Sequence, residues 1–442
     1  MSDTPTADTS APKNDLTRRA FLKTAGAGIA AAGLLADAPR VLAQAAAQPS
    51  APITKPDTPN TKPISLPKLD ASTEQQTGGP PLPLPPGKRL GIAVVGLGTL
   101  ALEQIIPALG QTKYCKLTAL VSGTPDKAAE VAAQHGIDPK SVYSYDTYDS
   151  IKDNPDVDII YIVLPNSMHA EYTVRGAKAG KHILCEKPMA VSVKECQQMI
   201  DACHAAGKKL MIAYRIQYEP TNRMARQLVQ NSQFGKVKLI ECVNGQNQGD
   251  PNQWRQKKAL AGGGALPDVG LYCLNTTRYL TGEEPTEVFA QTYSTPGDPR
   301  FTEVEELVTW QMRFPSGIQS NHATGYGFHQ SRRYRVYAET GWFGLDPAFA
   351  YNGLHMEMDY AQGKIAHRDS PSLPPENQFA REMDHMALCV MQDKTPWTPG
   401  EEGLQDQRIM DAIYESARTG KPVTLKTITT RDTFRGSVPL ER

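Results

Sequence analysis

The chain predicts two folded units: an α/β domain on a doubly wound parallel sheet, then an α+β domain on a large, mostly antiparallel sheet. Three observations carry this. From residue 90 to residue 213, short continuous apolar runs alternate with stretches of helical periodicity, the rhythm of a parallel sheet covered on both faces. A glycine-rich turn joins the first apolar run to the first helical stretch. Beyond residue 236, apolar residues fall at every second position, the period of strands with one face covered. The domains are expected to span 89–214 and 215–442.

Leu90-Gly91-Ile92-Ala93-Val94-Val95 reads as the first strand. Gly96-Leu97-Gly98-Thr99-Leu100-Ala101 follows, and Leu102, Ile105, Ile106 and Leu109 then recur at helical spacing. Strand, G-x-G-x-x-A and helix together form the dinucleotide (Rossmann) fingerprint in its required context. Gly96 permits the tight turn, Gly98 lets the backbone approach the pyrophosphate, and Ala101 lets the helix pack close, its first amides facing the phosphates. The second strand, 117–121, ends in Ser122-Gly123-Thr124-Pro125-Asp126-Lys127, where an acidic residue would bind a free ribose 2′-hydroxyl. No carboxylate sits at the tip itself. A hydroxyl and a nearby cation suit a 2′-phosphate, so Ser122 and Lys127 are expected to select NADP over NAD. Strands 157–164, 181–185 and 209–213, with helices 170–179 and 191–206, complete the domain. Ligands belong at the carboxyl ends of such strands. Those ends carry Leu164-Pro165-Asn166-Ser167-Met168-His169, Cys185-Glu186-Lys187-Pro188 and Tyr214-Arg215, with Arg215 expected among the cofactor contacts.

In the second domain a helix at 222–229 leads into strands 237–243, 288–293, 307–314, 317–324 and 333–338. Gly262-Gly263-Gly264-Ala265-Leu266-Pro267-Asp268 opens a helix between them, with Pro267 suited to a first turn. The i, i+4 spacing places Asp268 and Tyr272 on one face. Segments 244–252 and 325–333 are expected pocket rims with no role assigned. Helices at 377–392 and 403–419 close the chain, the second expected to return to the nucleotide domain.

From Leu90 to its final helix the chain resembles the glucose-fructose oxidoreductase and inositol dehydrogenase family, whose hallmark is the Glu186-Lys187-Pro188 tripeptide after a strand. The resemblance implies that Lys187 reaches substrate and nicotinamide, that Pro165, Asn166, His169 and Glu186 shape the cofactor pocket, and that Trp254 and Arg255 wall it. The wider family commonly has His where this chain, like the glucose-fructose branch, has Tyr272. Tyr272 is then the expected general base for a pyranose C1 hydroxyl, with the Lys187 ammonium stabilising the phenolate and Asp268 fixing the pair and a sugar hydroxyl. Tyr214, Tyr218 and Tyr293 are expected to stack on or hydrogen-bond the sugar.

A chain of 442 residues with 40% hydrophobic content can bury two cores. Lys+Arg and Asp+Glu both number 47, and the absence of a long basic run beyond the N-terminus argues against a nucleic-acid partner. The seven cysteines show no zinc spacing, so no metal is expected, and they read as buried small hydrophobes. Thr17-Arg18-Arg19-Ala20-Phe21-Leu22-Lys23 resembles a twin-arginine export signal, followed by a weakly apolar run at 24–36 and small-residue cleavage sites at 41–45. That run is too short and glycine-rich to span a bilayer, so no stable membrane association is expected. Residues 1–45 are therefore expected to be the signal and 46–88 a proline-rich arm, either a spacer or a cover for the cofactor or a neighbouring subunit.

The export resemblance implies passage through the twin-arginine translocase, already folded around a cytoplasmic cofactor, into the periplasm. Free nicotinamide is not supplied there, so NADP is expected to stay tightly bound and to be regenerated in place. That implies ping-pong chemistry. An aldose such as glucose gives its lactone, and a ketose such as fructose, or a second aldose, gives an alditol. A homo-oligomer, dimer or tetramer, is expected through the C-terminal sheet. Two other readings stay open: an ordinary NAD(P)-dependent sugar or inositol dehydrogenase using free cofactor, and a non-catalytic sugar-binding protein on the same fold.

Overall fold

The computed structural model describes residue 85 and residues 88–439, so the expected signal and nearly all of the proline-rich arm lie outside the described residues. The first sheet begins with β1 (Leu90–Val95), buried almost throughout as its unbroken apolar sequence requires. A π-helical turn, Ala101–Ile105, leads into α1 (Ile106–Leu109). The wide turn accompanies Pro107, which has no N–H to give, and the Ile106 amide instead reaches back five residues to the Ala101 carbonyl. Then come β2 (Cys115–Val121), α2 (Pro125–His135), β3 (Val142–Tyr143) and β4 (Ile159–Ile162). α3 (His169–Lys178), β5 (His182–Glu186), α4 (Val193–Ala205) and β6 (Leu210–Ala213) complete the unit.

The strands pair in the order β3-β2-β1-β4-β5-β6, all parallel. Sequence order reverses between β1 and β4. The loops after these two strands therefore part, opening a crevice at their carboxyl ends.

The second unit runs through α5 (Pro220–Gln230), β7 (Val237–Asn247), α6 (Lys258–Ala261), α7 (Leu271–Thr281), β8 (Glu287–Tyr293), β9 (Leu307–Arg313) and β10 (Gln319–Gly325). It continues with β11 (Gly327–Ala338), β12 (Gly341–Leu345), β13 (Met356–Gln362), β14 (Ile365–Asp369), α8 (Gln378–Met391), α9 (Gly400–Thr419) and β15 (Val423–Thr424). Nine strands form one sheet in the order β14-β13-β12-β11-β7-β10-β9-β8-β15, antiparallel except for β7 beside β10. In β9, Val308, Trp310 and Met312 are buried while Thr309, Gln311 and Arg313 are exposed, so one face is covered. α7 lies on the covered side, against β7 and β10.

Both C-terminal helices, not only the second, reach the nucleotide-binding unit. The Asp384 carboxylate of α8 accepts from the Lys113 and Tyr114 amides at 2.9 Å each, and α9 packs against α4, β6 and β8. Arg278 of α7 is fully buried between Glu284, Glu402 and Asp406, tying α7 to α9. All seven cysteines are buried, and none forms a disulfide among the described residues.

Candidate active site

The glycine loop divides its roles between folding and ligand. Gly96 adopts φ +95°, and a Cβ there would lie 2.3 Å from the Val163 carbonyl oxygen, so this turn is closed to any side chain. A Cβ on Gly98 would meet nothing within 4 Å. That open face is the space a dinucleotide backbone requires, and the donor set around it fits one. Ala101 is fully buried, Ser122 is buried at the tip of β2, and the Lys127 amine donates to the Leu97 carbonyl at 3.3 Å. Lys127 thus rests against the glycine loop. The Ser122 hydroxyl accepts from the Thr124 amide at 3.1 Å, which shapes the tip.

Asn166 and His169 hold the site from behind. Pro165 leads into a single helical turn in which the Asn166 side-chain amide donates to the Ala261 carbonyl at 2.9 Å. Both ring nitrogens of buried His169 lie 2.9 Å from carbonyl oxygens, those of Pro188 and Leu164. The imidazole therefore clamps the turn after β4 to the turn after β5.

Glu186 ends β5, and its carboxylate accepts from the Tyr161 hydroxyl at 2.9 Å and from the Lys187 amide at 3.2 Å. Tyr161 also lies 3.1 Å from Glu382 of α8. One phenolic hydrogen cannot serve two carboxylates at once, so the Tyr161 hydroxyl stands between two competing acceptors. Burial pushes both carboxyls up, Glu382 far more, with the neighbouring Glu186 adding to it.

Lys187 points at α7 and the turn before it. Its amine donates to the Asp268 carbonyl at 2.8 Å and lies 3.3 Å from the Asp268 carboxylate. The other carboxylate oxygen accepts from Arg255 at 3.0 Å and from the Tyr326 hydroxyl at 2.6 Å. Burial alone would raise the Asp268 pKa, but Arg255, Lys187 and the Tyr326 hydroxyl outweigh it and hold the carboxyl well below the usual range. Burial would likewise lower Lys187, yet Tyr272, Asp268 and Glu186 together push it up, so the ammonium is favoured. Asp268 sits in a π-helical turn, Leu266–Gly270, that feeds α7. Asp268 and Tyr272 line the same cavity despite the wider turn.

The triple glycine has a steric cause. A Cβ on Gly263 would lie 2.1 Å from the Tyr414 hydroxyl, and one on Gly264 would lie 2.2 Å from the Glu305 carbonyl oxygen. The Glu305 carboxylate caps the turn, accepting from the Gly264 and Leu266 amides at 2.9 and 3.0 Å.

A cavity of about 140 Å³ joins these groups, lined by Leu100 of the glycine loop together with Lys187, Arg255, Asp268 and Tyr272. Arg215, expected among the cofactor contacts, is also at its wall, where its Nε donates to the Tyr272 hydroxyl at 3.1 Å. Trp254 stands behind Arg255, whose guanidinium lies 4.5 Å over its ring, and does not line the cavity.

The three expected sugar-binding tyrosines need correction. Tyr214 is buried against the Asp406, Glu402 and Arg278 cluster, and Tyr218 is buried with its hydroxyl 3.0 Å from Thr398 and its ring against His385. Tyr293 is 55% exposed at the far end of β8. None lines the cavity. The aromatic wall is Phe349, Tyr351 and Phe379, which carried no periodic or motif signal. The expected rims do reach it: Asn244, Gln246 and Arg332 line it because β7 runs on to Asn247 and β11 starts at Gly327. Tyr326, buried behind Asp268, was not expected in the site, and the sequence marks it only by its flanking glycines. Cβ atoms there would strike Phe328 and Glu306.

Residues 90–214 match the oxidoreductase family with an NAD-binding Rossmann fold, and residues 222–344 match the GFO/IDH/MocA C-terminal domain. The chain is 30% identical to a D-xylose 1-dehydrogenase [NADP(+)] of Haloarcula marismortui over 75% of its own length and 92% of that protein's. It is 28% identical to D-xylose 1-dehydrogenase (NADP(+)) 2 of Haloferax volcanii, covering 75% and 98% respectively. It is also similar to the crystal structure of an aldose-aldose oxidoreductase from Caulobacter crescentus complexed with glycerol, with 44% identity, a TM-score of 0.74, and coverage of 76% of this chain and 100% of that one.

Proposed function

The chain belongs to the GFO/IDH/MocA oxidoreductases, a family of NAD(P)-dependent sugar oxidoreductases, and on that premise we propose a periplasmic enzyme that passes hydride between two sugars on one retained NADP. An aldose is oxidised to its lactone in the first half-reaction. A second sugar, an aldose or a ketose, is reduced to the alditol in the other. The observation that carries the reading is the cavity in which Leu100 of the glycine loop meets Lys187, Asp268 and Tyr272. The similarity to an aldose-aldose oxidoreductase supports sugars in both half-reactions.

The loop from Gly96 to Ala101, with Ser122 and Lys127, would hold the dinucleotide. Bound there, NADP supplies a hydride acceptor and, once reduced, a hydride donor. The chain's own part is the proton. Tyr272 takes it from the aldose C1 hydroxyl and returns it to the carbonyl oxygen of the second sugar. Lys187, kept charged by Asp268, Tyr272 and Glu186, offers an ammonium to the oxygen that gains negative character. Asp268, kept ionised, holds Lys187 and Arg255 against the cavity.

Export rests on the twin-arginine motif of residues 17–23. The exposed side of β9 and β10, with Thr309, Gln311 and Asn321, is the surface on which we place a second copy. A second reading, dehydrogenation with freely exchanging cofactor, draws on the two D-xylose 1-dehydrogenase relatives. The absorbance of purified protein separates the two. The closed cycle predicts a reduced-nicotinamide band that appears with an aldose alone and disappears when the second sugar follows. Protein that purifies without nucleotide, and reduces only added NADP, would overturn it.

A further inference from the structure

Two cations meet Tyr272, and they meet different parts of it. The Lys187 amine lies 4.7 Å from the ring centroid, with its hydrogens directed to the Asp268 carbonyl and carboxylate. The Arg215 guanidinium carbon lies 4.8 Å from the same centroid, but its Nε–H reaches the hydroxyl oxygen at 3.1 Å. The direct cationic partner of the reacting oxygen is therefore Arg215.

Four of the five guanidinium N–H groups are engaged within the protein. Nη1 donates to the Gln378 side-chain oxygen at 2.6 Å and to the Ala350 carbonyl at 3.3 Å, and Nη2 donates to the Phe349 carbonyl at 2.7 Å. Its face lies 4.7 Å over the Tyr351 ring, and the residue is 4% exposed. A planar fork anchored at both of its ends has one orientation, and arginine keeps its charge at any working pH. Among the described residues no carboxylate lies at ion-pair distance from it; Glu186 and Glu382 feel its charge from further off, and its closest polar contact toward the cavity is the Tyr272 hydroxyl.

We propose that Arg215 is the positioning residue for proton transfer, fixing the Tyr272 hydroxyl and stabilising the phenolate it becomes, with Gln378 of α8 and the backbone of 349–350 as its mount. The proposal rests on Tyr272 being the proton acceptor. Because the oxygen accepts from Nε–H in either state, the phenol's own hydrogen stays free for the sugar oxygen. When that hydrogen is absent, the oxygen is a base with one lone pair held by a cation and another open to the cavity. The other charged or titratable groups around Tyr272 are Lys187 and Glu186 from the end of β5, Asp268 with Arg255 beyond it, Arg332 of β11, Tyr351, and Glu382 of α8 behind Glu186 and Arg215.

The test uses the enzyme as purified and follows single-turnover nicotinamide reduction by an aldose across pH. It compares wild type, Arg215→Met, Arg215→Lys, Tyr272→Phe and the Arg215→Met/Tyr272→Phe double variant. A parallel ultraviolet titration without sugar, read as the difference from Tyr272→Phe, reports the Tyr272 phenolate alone. Arg215→Met should move both the rate profile and this phenolate signal upward by about one pH unit or more, a loss of about tenfold at neutral pH. Arg215→Lys, which keeps charge without the fork, should recover part of the shift. The double variant should be no slower than Tyr272→Phe.

An unmoved profile, or equal slowing in both tyrosine backgrounds, would make Arg215 a packing residue and overturn the proposal alone. Full rate in Tyr272→Phe would overturn it together with the reading beneath it. Should Arg215→Met fail to fold, Gln378→Glu leaves Arg215 in place and sets a carboxylate against Nη1. Its profile should also move upward, and an unmoved one overturns the proposal.

Discussion

Replacing Asp268 by Asn tests the electrostatics of the site without changing its volume. The carboxylate is the shared counter-charge of Lys187, at 3.3 Å, and Arg255, at 3.0 Å, and it accepts from Tyr326 at 2.6 Å. An asparagine keeps one acceptor oxygen and turns an NH2 toward a cation that has nothing to receive it. Removing one partner of a buried ion pair costs about 3–5 kcal/mol, and the side chain here is only 15% exposed. We therefore expect Asp268→Asn to lower unfolding stability at pH 7 by several kcal/mol, read from urea titrations at matched nucleotide content. The pH dependence has a defined sign. A carboxyl held below its unfolded value contributes stability that is complete above about pH 4 and is lost as pH falls toward the folded value. The wild type should thus lose stability on acidification below about pH 4, and the variant should lack that part of the acid limb. A change under about 1 kcal/mol at pH 7, with an unaltered acid limb, would refute the reasoning.

The glycine loop should separate fold from ligand. Gly96→Ala should destabilise the protein by about 1–2 kcal/mol from its backbone angle alone, with more from the clash at Val163, whereas Gly98→Ala should melt like nucleotide-free wild type and lose bound nucleotide. Thermal melts and nucleotide content check both. Ser122→Asp should weaken NADP and admit NAD, because a carboxylate repels a 2′-phosphate and accepts from a free 2′-hydroxyl. Relative affinities of stripped protein for the two nucleotides test this, and an unchanged ratio would show that the tip of β2 does not read the ribose. Tyr218→Phe should cost about 1 kcal/mol of stability, from its bond to Thr398, and leave the sugar dependence of the rate unchanged. Tyr293→Ala should change neither quantity.

The parallel sheet was legible because its strands are continuous apolar runs punctuated by glycine and proline, and β1 with its glycine turn could be placed to the residue. β3 was not, since two half-buried residues leave no period to read. β13 carries the alternation too, with Met356, Met358 and Tyr360 buried on alternate positions, although no strand was expected there. In the site, Lys187, Asp268 and Tyr272 were recognisable from motif and helical spacing, and they line one cavity. The aromatic wall was misassigned because nearness in sequence to a strand end does not decide which face a side chain takes. Tyr214 and Tyr218 turn into the core beside Arg278 and Thr398, while Tyr351 and Phe379 arrive from segments more than a hundred residues away. The bond from Arg215 to Tyr272 was not legible either. The Arg215 partner Gln378 comes from the start of α8 and Phe349 from the segment between β12 and β13, both far from it in sequence.

The closed hydride cycle is tested most directly by following one hydrogen atom. Purified enzyme, dialysed free of loose nucleotide, would be given an aldose deuterated at C1 together with an unlabelled second sugar, and the alditol product analysed by mass spectrometry. The account predicts one deuterium per alditol over many turnovers, undiluted by a large excess of unlabelled NADPH added to the medium. Alditol that carries no deuterium, or whose label falls in proportion to the added NADPH, would contradict it.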